Sequence, residues 1–148
     1  MKKIFSVNIH YLCNSSLIVI DILYSYYTIY QNGLTALHLC AQEDFIRVAS
    51  ILVKNEADVE SQTETGYRPI HVAAHFGNLS MIRFLLKHNA TIDVKTNQNY
   101  TPLHQAAQQG HAHIVTALLE GNASHKAQTN VSNILLLCMQ LYKYLLIL

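Results

Sequence analysis

Histidine is the residue type in this sequence best suited to bind a metal ion or transfer a proton near neutral pH, and it occurs nine times. His38, His71 and His104 recur at intervals of 33 residues, and each follows Leu or Ile. A row of imidazoles at this spacing would suit metal binding or a proton relay. A histidine that repeats with the period of a fold is more often structural, bonding a backbone carbonyl or a hydroxyl that also fixes its tautomer. The pattern therefore favours three structural histidines.

The other residues capable of chemistry are scattered along the chain. His111 and His113 are two positions apart, so their side chains diverge on a helix and predict no metal site. Cys13, Cys40 and Cys138 lie in different segments without metal-ligand spacing, which is typical of reduced thiols in a cytosolic protein. No nucleophile elbow, phosphate-binding loop or His-Glu-x-x-His pattern occurs in the sequence. The sequence therefore predicts no enzyme, no catalytic residue, no metal and no cofactor.

The composition of the chain is uneven along its length. Its 148 residues suffice for one domain, and a net charge of +1 argues against a nucleic-acid partner. Only 13% of the residues are charged, and most of these fall between residues 32 and 130. The flanks, 1–31 and 131–148, are rich in Tyr, Ile and Leu. The sequence thus has a balanced middle between two apolar, poorly charged ends.

A repeat of 33 residues occupies this middle region and supplies the elements that position the histidines. Five columns hold identical or similar residues in three consecutive windows: Leu37, Ile70 and Leu103; His38, His71 and His104; Ala41, Ala74 and Ala107; Leu52, Leu85 and Leu118; Ala57, Ala90 and Ala123. The periods follow one another without insertion. We therefore assign the repeats to residues 32–64, 65–97 and 98–130.

The third window shows the local structure of one repeat most clearly. Thr101 is suited to cap a first helix, and Pro102 suits its first turn. Gly110 ends that helix, and apolar residues at helical spacing in 114–119 predict a second helix. Asn122 then stands where a left-handed residue ends it. Helices this short are unstable alone, so the units must stack to bury their apolar faces, which predicts an all-α solenoid.

Residues 33–41 (GLTALHLCA), 66–74 (GYRPIHVAA) and 99–107 (NYTPLHQAA) resemble the ankyrin repeat. Residues 37–44 and 100–111 further resemble the last repeats of the membrane-binding domain of ankyrins. The first resemblance implies an ankyrin-repeat solenoid that binds proteins without catalysis. The second implies a fragment of an adaptor that links membrane proteins to the spectrin cytoskeleton. Its partner would then be the cytoplasmic segment of a membrane protein, and its location cytoplasmic, at the cytoplasmic face of the membrane.

Three departures from the repeat pattern predict local weakness. Arg68 stands where Thr35 and Thr101 provide caps, so the middle repeat is expected to lack a side-chain cap. Asp44 takes a glycine position and Glu56 takes an asparagine position, both expected to have positive φ. Since both lie in residues 32–64, the first repeat is expected to be the least stable.

Binding residues are expected at exposed positions between the core columns. In a helix-pair solenoid, the first helices and the loop tips line one concave face. Aromatic side chains anchor interfaces there, and amide side chains bond extended backbones. The candidates are Gln42, Glu43, His75, Phe76, Gln105, Gln108 and Gln109 on the first helices, and Tyr67 and Tyr100 at the loop tips.

The two flanks admit several interpretations. Apolar helices in 1–31 and 131–148 would extend the solenoid and cover its ends. Residues 131–148 are also just long enough for a membrane anchor. Both flanks have the composition of translated AT-rich non-coding DNA, and this favours a gene-model fragment of a larger ankyrin. Besides the adaptor, the alternatives are a small free-standing regulator of a signalling enzyme or transcription factor, and a membrane-anchored ankyrin-repeat protein.

Overall fold

Residues 32–124 are described in the computed structural model, and they form three helix pairs. The first helices of the pairs are α1 (Ala36–Glu43), α3 (Pro69–Phe76) and α5 (Pro102–Gln109); the second helices are α2 (Ile46–Lys54), α4 (Leu79–Lys87) and α6 (Ala112–Glu120). Successive pairs begin at residues 36, 69 and 102, so the structural period is the 33 residues of the sequence. Within residues 32–124 no β-strand occurs, and the predicted all-α class is confirmed.

The helices end where the sequence predicts left-handed residues. Each first helix is followed by a residue with positive φ: Asp44 (55°), Gly77 (80°) and Gly110 (75°). Each second helix is followed two residues later by another: Glu56 (65°), Asn89 (66°) and Asn122 (66°). The expectation for Asp44 and Glu56 is therefore confirmed. A residue other than Asn or Gly lowers the stability by about 1 kcal/mol or more in this conformation. The first repeat contains two such residues, Asp44 and Glu56.

The first helices pack against each other more closely than the second helices do. Small side chains allow this approach, because Cys40, Ala73 and Ala106 share one register and are all buried. Cys40 thus takes the place of a small core residue. Closer contact on one side curves the array, which places the first helices on the concave side. Leu85 and Leu118 of the second helices complete the core at 0% exposure.

Carboxylates link successive repeats through backbone amides. Asp93 Oδ1 accepts a hydrogen bond from the backbone N–H of Ser124 at 2.8 Å. Glu60, one period earlier, accepts the backbone N–H of Thr91 in the same way. Asp44 Oδ1 accepts the N–H of Met81 at 3.1 Å. Glu60 and Asp44 are therefore not merely solvated surface charges, because the next repeat brings amides to them.

Arg68 occupies the N-cap position of α3, with the extended backbone that Thr35 and Thr101 also adopt. Its guanidinium has no acceptor atom, so it cannot take the free N–H groups of the first turn as a hydroxyl does. It pairs instead with the carboxylate of Glu60, while Arg68 Nε is buried without a hydrogen-bond partner in the described part of the chain. An ion pair therefore offsets part of the missing cap.

Replacing Arg68 with Thr is expected to change the free energy of unfolding in two opposing ways. The new cap raises it by about 1 kcal/mol, and the loss of the ion pair lowers it by roughly 0.5 kcal/mol. In a Glu60→Gln background the full gain of about 1 kcal/mol should appear, because the pair is already absent. Urea denaturation of the wild type, the two single variants and the double variant measures both values. A loss of stability in both backgrounds would show that Arg68 stabilises α3 mainly through packing.

No helix in the described residues is long and apolar enough to cross a membrane. The predictions for the flanks, whether packed helices or a membrane anchor, lie outside residues 32–124.

Candidate functional site

The repeated histidines bond the start of their own helix to the next repeat. Nδ1 of His71 accepts the backbone N–H of Arg68 at 3.1 Å, and Nε2 lies 3.0 Å from the carbonyl oxygen of Tyr100. His38 repeats this arrangement between the N–H of Thr35 and the carbonyl of Tyr67. Because Nδ1 accepts a hydrogen bond, the proton is on Nε2, which donates to the carbonyl. The structural interpretation of these two histidines is therefore confirmed.

Burial also disfavours acid–base or thiol chemistry at these positions. It lowers the pKa of His71 to about 4 and lowers the pKa of His38, so both imidazoles are neutral at pH 7. Burial raises the pKa of the Cys40 thiol to about 12, so the nucleophilic thiolate is not formed. Across residues 32–124, no group of three His, Cys, Asp or Glu side chains is placed to hold a metal ion.

A strip of exposed side chains runs along the last turns of the first helices. Residues one period apart lie side by side, so two columns of the repeat form the strip. We call this set the inner strip: Gln42, Glu43, His75, Phe76, Gln108 and Gln109. His75 is half-buried and the other five are exposed, with Phe76 at 48% exposure. The predicted exposure is thus confirmed for every position of the strip except His75, whereas their role in binding stays a prediction.

Gln105 was expected to be exposed, and that expectation is wrong. Its side chain is only 3% exposed. Gln105 shares its register with Leu39 and Val72, whose side chains are partly buried. The alignment of the three windows already contained this signal, since two of the three residues in the column are aliphatic. Gln105 therefore lies beneath the strip and not in it.

The buried amide joins two other predicted residues. Gln105 Nε2 donates to the hydroxyl oxygen of Tyr67 at 3.0 Å, and Gln105 Oε1 lies 3.2 Å from His75 Nδ1. The ring of His75 meets the ring of Phe76 edge to face, with centroids 5.1 Å apart. The structure thus brings together Tyr67 from a loop tip, two neighbours on α3 and Gln105 on α5. This contact shows that the loop tip and the first helices share one face.

The remaining candidates lie further along the same array. Gln42 donates to its neighbour Glu43 at 2.9 Å. The ring of Tyr100 is half-buried against the ring of His104, with centroids 6.0 Å apart. Gln108 and Gln109 end α5 and are exposed. Among the predicted residues, Glu43 is the only Asp, Glu, Lys or Arg, so the face is rich in amide and aromatic groups.

Three polar residues that the sequence did not single out as links hold neighbouring repeats together. Asn78 Nδ2 donates to the carbonyls of Ala41 and Gln42, both at 2.8 Å. His111 Nε2 lies 2.9 Å from the carbonyl of His75, at the same register one repeat later. His113 Nε2 lies 3.1 Å from the carbonyl of Gly77. These bonds tie the C-terminal turn of one first helix to the next repeat and so hold the inner strip in place.

Comparison with known protein families agrees with this architecture. Residues 52–133 match the family described as Ankyrin repeats (3 copies), and residues 32–64 match the family described as Ankyrin repeat. A search of curated proteins found no match to the chain. The first of these matches spans more than half of the chain, and the helix pairs repeat at the same period. The chain therefore belongs to the ankyrin-repeat family, whose repeats form protein-binding modules.

Proposed function

We propose that the chain binds an extended segment of a partner protein along the inner strip and carries out no chemistry itself. The observation that carries this proposal is the exposure of Phe76 between neutral hydrogen-bonding side chains on a face held in place by inter-repeat bonds. An exposed aromatic ring loses water when it is covered, which favours association. Exposed amides on both sides, at Gln42 and Gln108, can bond the backbone of a segment that crosses several repeats.

We further propose that this partner is the cytoplasmic segment of a membrane protein and that the chain is part of an ankyrin-type adaptor to the spectrin cytoskeleton. Support comes from residues 37–44 and 100–111, which resemble the last repeats of the membrane-binding domain of ankyrins. These residues include most of α1 and all of α5, and both helices contribute to the inner strip. The proposed location is the cytoplasm, at the cytoplasmic face of the membrane.

The binding test uses the full chain and a probe peptide. Random peptides long enough to cross three repeats are displayed on phage and selected on the immobilised protein. Replacing Phe76 with Ala is expected to weaken the binding of the selected peptide by about 2 kcal/mol, as for a central aromatic anchor. Gln108→Ala should cost much less, because Gln108 is at the edge. Titration calorimetry gives the affinities, and urea denaturation should show little change in stability, since Phe76 is exposed.

Phe45 provides the matched control for this experiment. It is the other large exposed apolar side chain within residues 32–124, at 44% exposure, but it lies in the turn between α1 and α2. Phe45→Ala should leave the affinity unchanged. Equal affinities for the wild-type and Phe76→Ala proteins would place the site on the convex face or the loop tips.

The adaptor proposal is tested separately by cross-linking capture from detergent-solubilised membranes. The full chain should enrich membrane proteins through their cytoplasmic segments, and Phe76→Ala should lose them. Phe76-dependent capture of soluble signalling enzymes or transcription factors alone would contradict the adaptor and support a free-standing regulator.

A further inference from the structure

Gln105 is a polar residue at a position that the other repeats fill with aliphatic ones. Leu39 and Val72 occupy the same register, yet the amide of Gln105 is as buried as a core residue, at 3% exposure. Burying an amide is unfavourable unless its oxygen and nitrogen are hydrogen-bonded. Both atoms are bonded here, and both partners are side chains of the binding face, Tyr67 and His75. A packing role alone would be met by the leucine of the first repeat.

The two bonds determine which hydrogen-bonding groups this part of the face can offer. Because Gln105 Oε1 can only accept, the neutral form of the His75 ring has its proton on Nδ1 and a free lone pair on Nε2. Because Gln105 Nε2 donates to the oxygen of Tyr67, the hydroxyl proton of Tyr67 is available to donate. Both side chains are only half-buried, so each is open to solvent in part. Gln105 therefore holds one donor and one acceptor on either side of its own amide group.

We propose that Gln105 is a positioning residue that sets Tyr67 as a donor and His75 as an acceptor for the backbone of one extended residue of the bound segment. This inference rests on the proposed function and specifies the chemistry of its occupant. The C=O and N–H of a trans peptide unit point in opposite directions, whereas the N–H and C=O of one extended residue point to the same side and complement this pair. The carbonyl accepts from the Tyr67 hydroxyl, and the N–H donates to His75 Nε2. The ring of Phe76, next to His75, then covers an apolar side chain of the same segment.

The tautomer of His75 tests the proposal without any ligand. At a pH of about 8.5, where the reference imidazole is neutral, ¹⁵N NMR distinguishes a proton on Nδ1 from one on Nε2. The wild-type ring should have its proton on Nδ1. In Gln105→Leu, which restores the residue type of the first repeat, the ring should populate both tautomers. A spectrum that Gln105→Leu leaves unchanged, or a wild-type proton on Nε2, would overturn the assignment.

The backbone contact is tested with the phage-selected peptide described above. Replacing each peptide N–H in turn by an ester oxygen removes one donor at a time. In the wild-type protein one ester should weaken binding by about tenfold, and in Gln105→Leu the same ester should have little further effect. Gln105→Leu itself should lower the affinity of the unaltered peptide by about tenfold. Gln62→Leu, at an exposed glutamine in the loop before α3, is the matched control and should change neither value.

The outcomes separate this inference from the proposed function. If Phe76→Ala leaves the affinity unchanged, or if no peptide is selected, the inner strip is not the binding site and both proposals fail. If Phe76→Ala weakens binding but Gln105→Leu does not, the site is correct and the role of Gln105 is wrong. Urea denaturation of Gln105→Leu shows whether the fold is intact, which is expected because Leu39 already occupies this register.

Discussion

Lowering the pH from 7 to 4 is expected to reduce the free energy of unfolding of the repeat domain by about 3 kcal/mol. His71 is fully buried, and its pKa is lowered from 6.5 to about 4. Burial is the largest cause, and Arg68 and His38 act in the same direction. The hydrogen bonds of His71 to the carbonyls of Tyr100 and Val94 oppose this shift. Between these two values the unfolded chain binds a proton that the native chain does not. The stability is therefore complete above pH 6.5 and declines as the pH falls towards 4. His38 contributes in the same direction.

Urea denaturation at several pH values measures this loss, and a variant identifies its source. His71→Gln removes the titrating ring, so it should be less stable than the wild type at pH 7 but lose less stability on acidification. His113→Gln is the matched control, because His113 also contacts a backbone carbonyl but is exposed. If His71→Gln does not fold, ring NMR shifts of His71 in the wild-type protein report the same property. Titration of that ring near pH 6.5 would contradict the prediction.

Replacing Leu85 with Ala is expected to cost about 3 kcal/mol of stability. Leu85 is 0% exposed in α4, where core residues of the neighbouring repeats surround it on both sides. Removal of its isobutyl group would leave a cavity that the backbone of a stacked helix pair cannot close. The loss comprises the lost burial of apolar groups and the unfilled volume. Urea denaturation gives the difference in free energy.

Leu52→Ala is the control with the same chemistry and the same register. Leu52 is only partly buried, so its replacement should cost well under the value for Leu85. The difference would show that the first repeat is less tightly packed than the middle one, as the positive φ values of Asp44 and Glu56 also suggest. Equal costs at the two positions would contradict that order of stability.

The local features of this fold were predictable because neighbouring residues encode them. The cap positions, the left-handed residues after each helix and the buried column of Leu37, Ile70 and Leu103 depend on the sequence within one repeat. Each of these positions occurs three times in the sequence, so chance similarity is a poor explanation for the pattern. Even the unfavourable positions could be predicted, since Asp44 and Glu56 stand in columns whose other members are Gly or Asn.

The binding face was predictable only as a set of positions. Gln105 was misplaced because helical spacing alone does not show how far a residue is covered by the next repeat. The residues that it bonds, His75 and Tyr67, lie 30 and 38 positions earlier. Glu60 likewise meets the backbone of Thr91, 31 positions later. Such contacts depend on the rotation and distance between stacked units, which no single window contains.

The sequence by itself determined that this chain contains three stacked helix pairs, because the period and the apolar columns of each window require a shared core. The tertiary structure alone decided which polar atoms meet between the pairs. It placed Nδ1 of His71 on its own helix and Nε2 on the following repeat, which determines the tautomer. It also buried the amide of Gln105 between a tyrosine and a histidine of the preceding repeat. The physical reason is that hydrogen bonds require distances near 3 Å and a defined direction, and only the packing of one repeat on another supplies both.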